Sequence, residues 1–267
     1  MKIPFDKVIV SSNDNPKFIN FWPLVSKTWK KFFPEIEVDL CFVTNRSLND
    51  SFVLELKKYG NVYLYKQFSN IPAGNLGKVC RLYHASKQKN LVVSIHDIDS
   101  IPLQKNYLIE TLKHRLKEHL CLIGSEYYSG VDSGKCPMVP TTAEGYIFDL
   151  LLQKKNNSWE EFIENIKNIH VYDKKESILA SDDPISYPDN HFSDESLVRV
   201  FRKTFNGNIQ LLRRDVARPL NPKTDWIDRS NFNYDITKLY QGFYTECNMP
   251  RPLDLNIMKD IIKYINT

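Results

Sequence analysis

The chain lacks any run of about 18 apolar residues, the length a membrane-spanning helix needs. Its opening residues, MKIPFDKVIVSSND, lack the apolar centre of a secretory leader and pass directly into a strand pattern. Cysteine is sparse, with five in all: Cys41, Cys80, Cys121, Cys136 and Cys247. The number is odd and no two stand at CxxC spacing. That argues against zinc and against a disulfide framework, and leaves small buried thiols in a reducing compartment. A cytoplasmic protein is the expectation. No GxGxxG follows the first strand and no GxxxxGK[ST] occurs anywhere, which leaves a dinucleotide fold and a P-loop enzyme without support. Excess charge is lacking too: a net charge of +4 suits a protein that meets phosphates and is too small for a nucleic-acid binder. There is no internal repeat and no low-complexity tract.

What is present is an ordinary globular core, 42% apolar and 12% aromatic, in a length of 267 residues that fits one large domain. Strand and helix alternate through the first hundred residues. Lys7 to Ser11 predicts a strand that closes into the polar turn SSNDNP. Apolar positions from Phe18 to Phe33 recur at helical spacing until Pro34. Val38 to Thr44 is a second strand, Ser51 to Tyr59 a short helix stopped by Gly60, Val62 to Tyr65 a third strand, and Gly74 to Lys89 a helix. The expected class is α/β, with a doubly wound, Rossmann-like sheet flanked by helices. Further on, helices are expected over Asn106 to His119, Ala143 to Gln153, Trp159 to Ile169, Leu197 to Phe205 and Leu253 to Ile265. Strands are expected at Leu120 to Gly124 and Asn208 to Leu212. Asp173 to Asn190 reads as a long polar functional loop, and Arg213 to Pro252 as irregular chain.

The stretch that organises the rest is LVVSIHDIDSIPL, Leu91 to Leu103. Its apolar start is that of a strand buried on both faces of a parallel sheet. The carboxyl end, where open α/β sheets hold ligands, carries Asp97 and Asp99. Two carboxylates so close repel each other unless something positive lies between them, and a divalent cation that also holds a diphosphate is one answer. A solvated turn or a helix cap is the plain alternative. Lys78 and Arg81 stand three apart on one helical face and could reach phosphate oxygens, or belong to an exposed charged face. Ser11, Asn13 and Asp14 end the first strand, where they would face a ligand or simply form the turn. His191 in HFSDE is a natural metal ligand or a solvated loop residue. Asp194 and Glu195 open a helix whose dipole favours carboxylates in any case. An aromatic loop, Tyr127 to Gly130, and the pair Asp228 and Arg229 complete the candidates; Arg229 reads as structural or as a phosphate ligand.

Taken together, Asp97-Ile98-Asp99, the first strand with its polar turn, the second strand ending in Thr-Asn, the helix GNLGKVCRLYHAS and the later Asp194-Glu195 pair resemble the GT-A glycosyltransferases of the DxD type, over residues 5 to 205. The resemblance implies a single GT-A-like domain with a nucleotide-sugar half (about 1–105) and an acceptor half with a C-terminal extension (about 106–267). It implies transfer of a sugar from a nucleotide diphosphate donor, UDP-linked first among them, to a glycan or glycoprotein hydroxyl, with inversion. Mn²⁺ or Mg²⁺ would be held by Asp97, Asp99 and His191. Lys78, Arg81, Ser11, Asn13, Asp14 and Asp97 would bind the donor, and Asp194 or Glu195 would act as general base. Neither a nucleic-acid partner nor a membrane span is implied. Two readings compete. A haloacid-dehalogenase-like phosphatase also carries DxD after an apolar strand, although normally on the first strand. A non-catalytic glycan-binding module on the same scaffold is the other.

Overall fold

The structure, a computed structural model, describes residues 3–123, 140–153, 158–167, 205–212, 226–230 and 232–267. Its centre is β1 (Lys7–Asn13), β2 (Glu37–Thr44), β3 (Asn61–Lys66) and β4 (Val92–Ile95), all parallel, in the spatial order β3-β2-β1-β4. Beyond β4 lie β7 (Thr141–Glu144), antiparallel to it, then β6 (His119–Ile123) and β8 (Asn208–Leu212), which makes the seven-stranded sheet mixed. Alternate residues of the central strands feed two cores. Val8, Val10, Val38, Leu40 and Phe42 pack with Phe21, Trp22, Val25, Trp29 and Phe33 on one side. Ile9, Cys41, Val43, Val93 and Ile95 pack with Leu76, Val79, Cys80 and Tyr83 on the other. The α/β class with a doubly wound, helix-flanked sheet is therefore present.

Several boundaries differ from the sequence expectation, for identifiable reasons. The helix expected from Phe18 to Phe33 is two, α1 (Pro16–Ile19) and α2 (Trp22–Phe32). Pro23 lies in the first turn of α2; without an N–H it cannot continue a ladder from α1 but suits a helix start. Then come α3 (Ser51–Lys57) and α4 (Ala73–Lys87), as expected within a few residues. The helix α5 (Asn106–Leu112) stops well short of His119, which starts β6 directly after the left-handed Glu118 (φ 61°). Thr141 to Glu144, partly expected as helix, is strand β7, and α6 runs only over Gly145–Leu151. Gly145 is required at that turn, since a Cβ there would lie 2.1 Å from the Gln88 carbonyl oxygen at the end of α4. The helix α7 covers Trp159–Lys167.

The region expected to be irregular holds the part of the fold that matters most for the site. β5 (Ser100–Pro102), β10 (Glu246–Asn248) and β9 (Trp226–Ile227) form a second, three-stranded sheet in the order β5-β10-β9. Short helices α8 (Ile236–Tyr240) and α9 (Lys259–Asn266) follow, the second being shorter than the helix expected from Leu253. Cys41, Cys80, Cys121 and Cys247 are free and buried. Among the described residues no helix is long and apolar enough to cross a membrane.

Candidate active site

β1 lies between β2 and β4, so the chain winds outward in both directions from the β1–β4 pair. Open α/β sheets bind ligands in the crevice beyond the strand ends at such a switch point. β1 ends in Ser11, Ser12 and Asn13 and runs on into Asp14, and the neighbouring β4 runs on into His96, Asp97, Ile98 and Asp99, so both segments lie at the carboxyl ends of adjacent parallel strands. Asp97 and Asp99 then bridge two sheets. β5 begins at Ser100, and the Met249 N–H donates to the Asp99 carbonyl at 2.7 Å, which ties the acidic turn to the end of β10.

Asp97 faces α4. Arg81, almost wholly buried, donates through Nη1 to Asp97 Oδ1 at 2.8 Å and to the His96 carbonyl at 3.0 Å. The Asp97 side chain is 39% exposed. Burial presses its pKa upward, but the positive charge of Arg81, then of Arg251 and Arg229, outweighs this and holds the carboxyl below its ordinary range. Asp99 faces the other way, and only 2% of its side chain is exposed. Its Oδ2 accepts from both Arg229 Nη1 and Arg251 Nε. Burial would lower the pKa of Arg251, and the bond to Asp99 reverses that to a rise. Arg229 follows β9, and the preceding Asp228 fixes the turn by accepting from the Ser230 N–H and hydroxyl at 2.7 Å each. Arg251 follows β10, with its guanidinium carbon 5.3 Å from the centre of the Phe18 ring.

The expected residues separate into three groups. Asp97, Asp99 and Arg81 converge on this corner. Ser11 lies on β1, and Asn13, Asp14 and Lys78 have local partners of their own. Asn13 Oδ1 accepts the Asn15 N–H at 2.9 Å, and Asn15 caps α1. Asp14 accepts from the Thr44 hydroxyl at 2.6 Å and Arg46 Nε at 2.7 Å, which joins the ends of β1 and β2. Lys78 Nζ lies 3.5 Å from Asn75 Oδ1. His191, Asp194 and Glu195 lie outside the described residues, as do Cys136 and the loop Tyr127 to Gly130.

The charge balance bears on a metal. Three guanidiniums surround two carboxylates, so the described corner carries one positive charge in excess. Among the described residues no three His, Cys, Asp or Glu side chains group together to hold an ion. In this arrangement the donor set, with both carboxylates already bonded to arginine, does not fit Mn²⁺ or Mg²⁺.

Sequence reasoning missed Arg251 and left Arg229 undecided. Nothing local marks Arg251; it matters because β10 pairs with β5, a contact across about 145 residues of chain that no short-range pattern reveals. Also missed was a buried polar cluster on the same α4 face. Asp39 accepts from Lys7 Nζ at 2.8 Å and Asn61 Nδ2 at 2.9 Å, and pairs with His84 Nε2 at 3.0 Å. The Tyr65 hydroxyl is hydrogen-bonded to His84 Nδ1 at 2.7 Å. Burial works to raise the Asp39 pKa, and the bonds from His84 and Lys7 carry it below the usual value instead.

No protein-family model and no curated protein matches the sequence. Among solved structures, the glycosyltransferase GlyE of Streptococcus pneumoniae TIGR4 aligns over 78% of this chain and 45% of its own, at 12% identity and a TM-score of 0.47, so this chain spans less than half of it. The galactosyltransferase LgtC, in complex with donor and acceptor sugar analogues, aligns over 91% of this chain and 86% of its own, at 10% identity and a TM-score of 0.46. The mannosyltransferase PcManGT of Pyrobaculum calidifontis, in complex with GDP-Man and Mn²⁺, aligns over 44% and 34%, at 15% identity and a TM-score of 0.31. At these TM-scores and identities the likeness carries no argument about this chain, and neither activity nor substrate passes from these proteins to it.

Proposed function

We propose that the chain transfers a sugar from a nucleoside diphosphate sugar, UDP-linked first among candidates, to a hydroxyl of a glycan acceptor. The observation that carries this reading is the convergence of Arg81, Asp97, Asp99, Arg229 and Arg251 at the strand switch point, beside the polar end of β1. A nucleoside diphosphate needs two features there: a polar strand end for the base and ribose, and concentrated positive charge for the phosphates. Ser11, Asn13 and Asp14 serve the nucleoside end, with Asp14 held in place by Thr44 and Arg46. Lys78 reaches toward the phosphates, and Arg81, buried beneath the crevice, holds Asp97 in orientation.

In the transfer, the acceptor oxygen bonds to the anomeric carbon as the bond from that carbon to the phosphate oxygen breaks. The electron pair leaves with the diphosphate, and cationic groups fixed at the corner stabilise it. The hydroxyl proton goes to a carboxylate, for which Asp194 and then Glu195 are the candidates in an inverting reaction. Mn²⁺ or Mg²⁺ on Asp97, Asp99 and His191 is what the resemblance implies; since the described donor set does not fit it, no step is drawn through a metal.

The test is release of nucleoside diphosphate from a panel of nucleotide sugars in the presence of mixed glycan acceptors. Release from one donor, with sugar appearing on the acceptor, supports the reading. Phosphate release from simple monoesters, with no donor consumed, would replace it with the phosphatase.

A further inference from the structure

We propose that this corner neutralises the donor diphosphate with guanidinium groups, Arg229 and Arg251, in place of a divalent cation, so that donor binding needs no metal. The proposal rests on the sugar-transfer reading for what the anion is, but not for how it is held. Asp99 lies at the bottom of the corner, and the two arginines stand over it, 34% and 39% exposed. An incoming anion therefore meets two half-exposed guanidiniums before it meets either buried partner. The side of Asp99 on which a cation would sit is already filled by cationic groups, each donating one N–H to Oδ2.

A guanidinium has five N–H donors in a fixed plane. Arg229 commits Nη1 and Arg251 commits Nε to Asp99; among the described residues no other side chain accepts their remaining N–H groups. Those forks match the geometry of phosphate oxygens, which guanidinium groups bind in bidentate fashion. Both are also held before any ligand arrives. The Asp228 turn fixes one, the Phe18 ring supports the other, and the β5-β10-β9 sheet sets their spacing. Asp99 is in this sense a positioning residue: it aims the two arginines and offsets their mutual repulsion while the site is empty of anion. This inverts the role that the DxD pattern implies, from holding a metal to holding the arginines.

Calorimetry with inorganic pyrophosphate and with UDP tests this, on the full chain, in EDTA and again in Mn²⁺. The expected result is a dissociation constant that agrees within about threefold between the two conditions. Arg251→Gln should weaken binding by about 10- to 100-fold in EDTA, and Arg251→Lys, which keeps charge but loses the fork, should fall between. Arg229→Gln should act in the same direction. Binding that appears only with Mn²⁺ overturns the proposal, and so does full affinity in a folded Arg251→Gln protein. The comparison of EDTA with Mn²⁺ uses the unaltered chain, so it decides the matter even where a variant does not fold. Metal-free pyrophosphate binding with no nucleotide sugar consumed would sink the transferase and leave this cradle standing. Sugar transfer that requires Mn²⁺ would do the reverse.

Discussion

Two ionic clusters meet the same face of helix α4, one turn apart, and they solve the problem of buried charge differently. Around Asp39 the partners are Lys7 on β1, Asn61 on β3 and His84 on the helix, and Asp39, His84 and Lys7 are sealed from solvent. Around Asp97 and Asp99 the partners come from α4, from the turn after β9 and from the chain after β10, and two of the three arginines are half exposed. In the first cluster one lysine meets the buried Asp39 and, at its outer end, the exposed Glu37. In the second, Arg229 and Arg251 stand half exposed over the buried Asp99. A closed cluster holds the fold together, because breaking it strands a charge in the interior. An open one is poorly explained by stability, since half-exposed ion pairs contribute little. Its exposed arginines become intelligible once an anion is added. Under the proposed function the first cluster serves the fold and the second serves the ligand.

Substitution should pull the two apart most strongly at Asp39. Asp39→Ala leaves Lys7 and His84 facing each other without the carboxylate between them, and should cost about 3 to 5 kcal/mol of stability. Urea unfolding gives the number, and nucleotide affinity of the folded fraction should stay unchanged. If that variant instead lost binding at full stability, the closed cluster would belong to the site and the contrast would fail.

Asp97→Asn should show the opposite signature. Its carboxylate is 39% exposed, so solvent discounts the pair with Arg81 and the loss of stability should stay below about 1 kcal/mol. Sugar transfer should fall by about 100-fold, the scale on which a misplaced charge-stabilising group acts. Activity of the variant and its melting temperature, measured side by side, check both halves.

How much of this was legible beforehand depends on sequence distance. The strand ends and the acidic turn were readable because each is a local pattern: an apolar run of four or five residues followed by polar ones. Arg81 was readable from its spacing with Lys78 on one helix. The two arginines that define the corner's charge were not, because they reach it through a three-stranded sheet assembled from segments more than 120 residues apart. All three of those strands have only two or three residues, too few for any alternation to register. β7 was misread for a related reason. Thr141 to Glu144 pairs with the buried β4, and in so short a strand the pairing partner rather than local propensity decides the conformation.

The smallest effect is one of pH, and it separates the clusters by sign and size. The Asp39 carboxyl is held below its ordinary value near 3.8. A lowered carboxyl adds stability that is complete above the unfolded value and disappears as pH falls through the folded one. Lys7 is shifted the other way, above 10.5, by Asp39 and Glu37 working against its burial, so its contribution is complete below 10.5 and is lost at higher pH. The stability gap between the wild type and Asp39→Asn should therefore narrow at both the acid and the alkaline extreme. Asp97 is lowered as well, so its gap should close on the acid side only, from a smaller starting height because water screens it. Unfolding curves at pH 3, 5, 7, 9 and 11 for both variants are enough. A gap for Asp97→Asn as deep as that for Asp39→Asn would mean that the open corner is as structural as the closed one, and the case for an anion there would lose its physical basis.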